Sequence, residues 1–407
     1  MLKNIIIVND WGHIRGGADN VAIHSAIELS LKGYNVIFFT AVSPVDAELL
    51  SSGVVVYCIN QKDILSNPDR IEAATKGLYN RTAAERFKEL ISQHSKTDTI
   101  IHVHTWTKAL SASIFRVAFE QNFKIVLTLH DFFSVCPNGG FYNYKKQQIC
   151  KLRPLSSACI REDCDSRNYM QKNWRVMRHF IQNQFLNNDR LLNLISISAT
   201  TDKYILPLLE GRYHRCFKLE DPVEMRNSGR VDICKNKKYL FMGRLSKEKG
   251  AELFCEAVSS LGKEGVVIGD GYLRNILEKK YPQIEFKGWL SGEEKAEVIK
   301  QCKCFVFTSR WYETFGLVVA EMKSFGIPSI VPAESAAAEQ IENGIDGLHF
   351  QSGNLDSLKQ AIIQYEHADM VGMQNHLITN FNSEKFSYVT HISKLLSIYD
   401  EINGNPQ

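Results

Sequence analysis

The chain has 407 residues, 44% hydrophobic and 23% charged, with a formal net charge of +3. Such a length gives a prior of about two to three domains, each able to bury its own core, and so small a charge implies no nucleic acid or other strongly polyanionic partner for the molecule as a whole. The longest uninterrupted apolar run, Val54–Ile59, falls far short of the ~20 residues a membrane span needs, and Met1–Asp10 lacks a signal-peptide core. A cytoplasmic protein is expected, and its ten cysteines are then thiols or metal ligands rather than disulfides.

Asn4–Asn9 reads as a short apolar strand, and Ala18–Lys32 has helical spacing that ends at Gly33, a C-terminal cap. Val36–Thr40, Thr99–His104, Lys124–His130 and Leu194–Ser198 are further apolar, β-branched runs of the fully buried type. Strands alternating with helices imply a parallel sheet covered on both faces. Leu219–Gly229, with Pro222 and small polar residues, reads as the junction between a domain of residues 1–218 and one of 219–382. The rhythm then restarts with Tyr239–Met242, Val266–Ile268, Ile284–Phe286, Cys304–Thr308 and Ile327–Val331 as strands. Ser291 with Glu294 forms a capping box for the helix running toward Gln301. Within residues 383–407, the amphipathic Ser383–Ile402 is a terminal helix with the first domain as its candidate docking partner. The expectation is an α/β protein of two Rossmann-like, doubly wound domains with a cleft between them.

Ligands of open α/β sheets bind beyond the carboxyl ends of the strands. After Tyr239–Met242 comes Gly243-Arg244-Leu245-Ser246-Lys247-Glu248-Lys249-Gly250, directly before a helix. Free amides and the helix dipole make such a turn an anion site; Arg244 can grip phosphate oxygens bidentately and Lys249 adds a point charge. The plainer reading is a solvated basic turn. After Cys304–Thr308, the stretch Ser309–Gly316 leads into the helix Leu317–Phe325, so that Glu313 and Glu321 flank the first turns. Two glutamates eight apart are commonplace by themselves; their placement around Phe315-Gly316 sharpens the signal.

These elements resemble a known family. Glu313-Thr-Phe-Gly-Leu-Val-Val-Ala-Glu321 is similar to the E-x7-E signature of the family-4 retaining glycosyltransferases of the GT-B fold. Gly243-Arg-x4-Lys249-Gly resembles that family's G-R-x4-K-G element, Gly269-Asp270-Gly271 its G-D-G turn, Phe286-Lys-Gly288-Trp289 its F-x-G strand end, and Gly344–Gly347 its N-G-x-x-G loop. All five come in family order across the C-terminal half. The resemblance implies a nucleotide-diphospho-sugar donor, UDP-linked in first place and GDP-linked in second, and a catalysis that needs no metal or other cofactor. It places Arg244 and Lys249 on the diphosphate and Glu321 on the ribose. Glu313, with the backbone at Phe315, Gly316 and Leu317, would hold the sugar. Gly288, Trp289 and Leu290 would meet the base, and Gly243 and Gly269 would shape the donor loops. In the first half, Arg15-Gly16-Gly17-Ala18 resembles the glycine-rich loop facing acceptor and diphosphate, and it lacks the third glycine of a dinucleotide fingerprint. His130-Asp131 resembles the family's histidine near the sugar 6-hydroxyl. The plainer readings are an ordinary strand–helix turn and a surface His-Asp pair; the position of both after strands favours the functional ones. The implied acceptor is a saccharide or a lipid-linked intermediate of surface polysaccharide such as O-antigen. One departure stands out: Ser335-Ala336-Ala337-Ala338-Glu339 occupies a place where the family often has paired glycines, and alanine tolerates positive φ less well.

Two features lie outside that pattern. Cys136, Cys150, Cys159 and Cys164 fall within 29 residues, which is open between a structural Zn²⁺ with four Cys ligands and scattered free thiols; Asp163-Cys164-Asp165 spells a D-x-D that reads as a decoy. Tyr144–Arg190 holds ten Lys/Arg against four Asp/Glu, a net of +6 that leaves the rest at −3. Within it Trp174, Met177, Phe180 and Ile181 have helical spacing beside Lys172, Arg175 and Arg178, as in a basic amphipathic helix lying on the anionic inner face of the plasma membrane, or in a packed helix with a solvated face. Two other function classes compete with transfer. A nucleotide-sugar epimerase on the same fold needs no acceptor. A nicotinamide-dependent or purely nucleotide-binding α/β protein predicts a third glycine in the first loop and an acidic residue ending the second strand, where Thr40 stands.

Overall fold

Unbroken Ile/Val/Phe runs bury both faces of a strand and therefore favour parallel sheets sandwiched between helices. The computed structural model, which describes residues 2–223 and 231–404, has two such sheets. The first contains β1 (Asn4–Trp11), β2 (Asn35–Val42), β3 (Val55–Cys58), β4 (Thr99–Val103) and β5 (Ile125–Thr128). A short hairpin, β6 (Tyr142–Asn143) and β7 (Gln148–Ile149), precedes its last two strands, β8 (Leu192–Ser196) and β9 (Arg215–Lys218). The second comprises β10 (Lys238–Met242), β11 (Gly265–Ile268), β12 (Glu285–Gly288), β13 (Cys302–Val306), β14 (Ser329–Pro332) and β15 (Gly347–Phe350). Strand orders are β3-β2-β1-β4-β5-β8-β9 and β12-β11-β10-β13-β14-β15, with every pairing in both sheets parallel. In each sheet the winding reverses beside the first strand, between β1 and β4 and between β10 and β13. Loops leaving those strands open into a crevice.

Alternate residues of one strand feed opposite cores. Ile6 and Val8 pack on one face of the first sheet, Ile5 and Ile7 on the other; Tyr239 and Phe241 oppose Leu240 in the second. β3, β9 and β15 are additional to the expected strands: β3 is an apolar run left partly exposed at the sheet edge, β9 sets Cys216-Phe217 between Arg215 and Lys218, and β15 is only four residues long. Ser291 sits at the N-cap of the helix Gly292–Ile299 but makes no side-chain cap bond, so the expected capping box is not formed. Of the junction Leu219–Gly229, residues 224–229 lie outside the described residues.

The terminal segment forms a 3-10 turn, Ser383–Phe386, and the helix Tyr388–Asn403. Its apolar stripe Ile392, Leu395, Tyr399 and Ile402 recurs every three to four residues and enters the first domain's core beside Ile5 and Ile7. The Tyr399 hydroxyl lies 2.6 Å from His102 Nδ1, and Lys124 Nζ donates to the Ile402 carbonyl at 2.8 Å. The last helix thus straps the chain's end onto its beginning. Leu395→Ala, at a fully buried position, is expected to cost about 2–5 kcal/mol, read as a lower urea midpoint; an unchanged midpoint would show that the helix is not docked.

Candidate active site

The loop after β10 and the loop after β13 are fastened together. Gly250 adopts φ 70 at the N-cap of the helix Ala251–Ser260, and a Cβ there would run into the Thr308 carbonyl, so only glycine fits. Thr308 Oγ1 donates in return to the Gly250 carbonyl at 2.8 Å. This contact sets Lys249 opposite Glu313. The Glu313 carboxylate accepts from Lys249 Nζ at 2.7 Å and Trp311 Nε1 at 2.7 Å, and from the Ser309 hydroxyl. Burial works to raise its pKa, but the Lys249 ammonium and the three donors outweigh burial and hold the carboxyl below its ordinary value. Glu313 is therefore an ionised, fixed carboxylate. Arg244, in the same loop as Lys249, is exposed and forms no ion pair among the described residues.

Gly316 caps the next helix, Leu317–Ser324, with φ 88. Beneath it the alanine run folds into a 3-10 turn, Ala336–Gln340, and none of Ala336–Ala338 takes a positive φ. The departure from paired glycines thus needs no glycine conformation. Gln340 Nε2 donates to the Phe315 carbonyl at 2.8 Å, and Glu339 accepts from the amides of Ala199 at 2.9 Å and Thr200 at 2.6 Å. The run holds the Glu313–Glu321 segment from below and caps a helix of the other domain.

A cavity of about 460 Å³ lies between the domains. Of the residues singled out in the sequence it brings together Gly16, Gly17, Gly243, Gly269, Trp289, Leu290, Leu317 and Glu321. Lys295 Nζ holds Glu321 Oε1 at 2.5 Å, and Trp289 is 70% exposed, a bare aromatic face at the rim. A Cβ at Gly17 would run into Leu317 Cδ1, which is how closely the first domain's loop meets the second domain's helix. Gly288 ends β12 and its carbonyl accepts from the Gly269 amide at 2.7 Å, shaping the cavity without lining it. Phe315 is buried in the first domain's core. It also lines a larger cavity of about 570 Å³ beside Lys218, Lys323 and the terminal segment, remote from the motif loops after β10.

His130 is placed differently from expectation. Its ring is buried and does not line the donor cavity. Nδ1 lies 3.3 Å from Asp221 Oδ2, Nε2 lies 2.9 Å from His104 Nδ1, and its carbonyl accepts from Thr314 Oγ1 at 2.8 Å. Burial would lower its pKa, yet the Asp221 carboxylate outweighs burial and raises it. His104 is driven well below its ordinary value by burial and the neighbouring imidazoles. A protonated His130 then donates to His104, whose own Nε2 has no hydrogen-bond partner among the described residues. Lys295, Trp311, His104 and Asp221 belong to no motif; among them Trp311, in the loop after β13, and His104, directly beyond β4, had a positional signal in the sequence.

Two expectations are corrected. Among the described residues no group of three or more His, Cys, Asp and Glu side chains could hold a metal ion, so Cys136, Cys150, Cys159 and Cys164 are free thiols. The buried Lys172 ammonium lies 3.6 Å from Cys159 Sγ, and its charge opposes a second cation there. The decoy D-x-D is spent on structure, since Asp165 pairs with Arg175 at 2.6 Å. In the helix Tyr169–Phe185 the cations Lys172 and Arg178 are buried while Met177 and Phe180 are exposed. This inverts the polar face expected of a basic membrane-surface helix, because the cations turn toward partners inside the domain.

Residues 230–383 match the family model described as glycosyl transferases group 1. A GDP-mannose-dependent alpha-mannosyltransferase of Corynebacterium glutamicum is 32% identical over 108 residues, 26% of either chain. The chain spans between 26% and 48% of the length of the first curated relatives it matches. The sucrose-phosphate synthase of Thermosynechococcus elongatus superposes with a TM-score of 0.70 at 16% identity, covering 98% of this chain and 99% of that one. Anabaena HepE in complex with UDP and glucose superposes with a TM-score of 0.66 at 15% identity, covering 98% and 100%. The chain has the GT-B fold, and its residues 230–383 are similar to the glycosyl transferases group 1.

Proposed function

We propose that the protein is a metal-independent, retaining hexosyltransferase of the family-4 type. It would move a sugar from a UDP-sugar, or second from a GDP-sugar, to a saccharide or lipid-linked acceptor, as in the assembly of O-antigen or another cell-envelope polysaccharide. The observation that carries this reading is the ionised Glu313 carboxylate, held by Lys249 and Trp311 at 2.7 Å each in the loop that leads into the helix carrying Glu321 to the interdomain cavity. HepE, solved with UDP and glucose, and the GDP-mannose-dependent relative support a nucleotide-linked donor. Cytoplasmic work at the inner face of the plasma membrane completes the reading, with the exposed Met170, Met177 and Phe180 as the attachment.

In this reading the base stacks on Trp289, and Glu321 Oε2 accepts from the ribose. The diphosphate faces the helix amides at Gly316–Leu317 between Arg244 and Lys249, and the sugar lies against Glu313. Breaking the glycosidic bond loads charge onto the diphosphate, and cations and amides already in place stabilise it as it develops. The sugar passes through an oxocarbenium-like state, and the acceptor attacks from the face the diphosphate leaves. The Asp221-His130-His104 chain fixes the loop that carries His130 beside Thr314. An epimerase would convert donor without acceptor, and product analysis without acceptor separates the two.

Arg244→Ala is expected to lower kcat by about 10²–10³-fold with Tm unchanged, since the exposed Arg244 makes no ion pair among the described residues; in the same assay a chelator should leave the rate intact, and its loss would sink the metal-free mechanism. UDP at a hundredfold excess over Kd should stabilise the protein by about 2.7 kcal/mol, more than GDP at equal concentration, and Trp289→Ala should remove the difference from nucleotide-free protein. Because the folded His130 is raised, its pairing contributes stability below the ordinary histidine pKa of ~6.5 and loses it as pH rises through the folded value. Asp221→Asn should therefore be less stable than wild type in acid and approach it in alkali, and NMR titration of His130 should show a lowered pKa; an unmoved His130 would break the chain as described.

A further inference from the structure

Helices Arg70–Leu78 and Tyr169–Phe185 of the first domain flank a cavity of about 210 Å³. They meet at Gly77, where a Cβ would run into the Trp174 indole, and Trp174 Nε1 donates to the Ala74 carbonyl at 3.2 Å. Five cations line this cavity: Arg70, Lys108, Arg167, Arg175 and Arg178. Among the described residues only Arg175 has a carboxylate partner, Asp165 at 2.6 Å. The Arg70 guanidinium donates to the Ile64 and Asn67 carbonyls at 3.0 Å each.

Arg178 is the deepest of the five. It is 5% exposed and donates to the Thr107 carbonyl at 3.2 Å, while its Nε has no partner. Otherwise it packs on aromatic faces, Phe133 at 5.1 Å and Trp174 at 5.3 Å, while Asp131, Asp10 and Asp165 act on it through space without an ion pair. Lys108 Nζ likewise lies 4.5 Å over Phe133. A buried cation without a carboxylate in direct contact is costly, and in both groups the cost exceeds what Asp131 and Asp10 return from a distance. Burial, then repulsion from Arg175, pushes Arg178 down to about 9 and Lys108 down to about 7. An anion would relieve that repulsion and take up the idle donors.

The surroundings say what kind of anion. Leu65 and Met170 also line the cavity, and Met170 and Ile71 beside it are each 78% exposed. A bare phosphate has no use for such a rim, whereas a hydrocarbon chain attached to the phosphate does. The Lys108 amide donates to Asp10 Oδ2 at 2.8 Å, and Asp10 lies at the carboxyl end of β1, the end from which the Gly16-Gly17 loop departs. The cavity therefore sits at the acceptor side of the crevice.

We propose that this cavity binds the phosphate or diphosphate of an amphiphilic, lipid-linked acceptor, whose chain leaves over Leu65, Ile71 and Met170. The identification of that ligand as acceptor rests on the transferase reading; the cationic, apolar-rimmed site does not. Isothermal titration of the full chain with farnesyl diphosphate, inorganic diphosphate and farnesol tests it. Farnesyl diphosphate should bind at least about tenfold tighter than inorganic diphosphate, farnesol should not bind, and saturating UDP should not compete. Arg178→Gln should weaken farnesyl diphosphate by about tenfold or more, the loss expected for a charge-assisted hydrogen bond. Arg167→Gln, at an exposed position where folding is not at stake, should weaken it in the same direction, with UDP affinity unchanged in both variants. Equal affinity for the two diphosphates, no binding of either, or full affinity in both variants would overturn the proposal. So would flotation with phosphatidylglycerol vesicles that Arg178→Gln and Arg167→Gln both abolish but farnesyl diphosphate does not reverse, which would make the cations themselves a membrane surface. If farnesyl diphosphate binds as expected while neither UDP nor GDP does, the transferase reading fails and the site remains.

Discussion

A carboxylate can be buried and stay charged only if its environment supplies compensating charge and donors, and Glu313 is where this constraint organises the molecule. Lys249 reaches it from the loop after β10, and Trp311 and Ser309 reach it from the loop after β13. Those loops can approach because Gly250 lies against the Thr308 carbonyl and because β10 and β13 are neighbours in the sheet. The parallel topology, the glycine and the ion pair are three levels of one requirement.

From that fixed point the second domain extends toward the first. The helix that starts at Gly316 carries Leu317 against Gly17 and Glu321 into the cavity, and Thr314 reaches the His130 carbonyl. Glu339 caps the helix Ala199–Tyr204 from below. The strap Tyr388–Asn403 returns from the second domain to bury its stripe in the first domain's core. The two domains are thus joined on both sides of the cleft by contacts of opposite character, apolar at the strap and polar around the loops.

The charges that the first domain keeps inside have a different logic. Lys172 among thiols and Arg178 among aromatic rings spend solvation that a surface helix would have kept. Their inward placement turns what looks in one dimension like a basic stripe into a lined cavity. Periodicity alone could not reveal this, because a helical wheel shows which residues share a face but not whether that face meets water or another helix.

What the sequence determined by itself were the features encoded locally: apolar runs that make central parallel strands, the glycine–cation loop before a helix, and the spacing of Glu313 before and Glu321 within one helix. These depend on neighbours a few residues away, so they survive without the fold. Tertiary structure alone decided which groups face one another across long separations. It paired Lys249 with Glu313 and Lys295 with Glu321, and it turned His130 toward Asp221 and His104. It placed Lys172 beside Cys159, where a metal had been the alternative. Hydrogen bonds and ion pairs act over about 3 Å, and only chain folding brings residues so far apart in sequence within that distance.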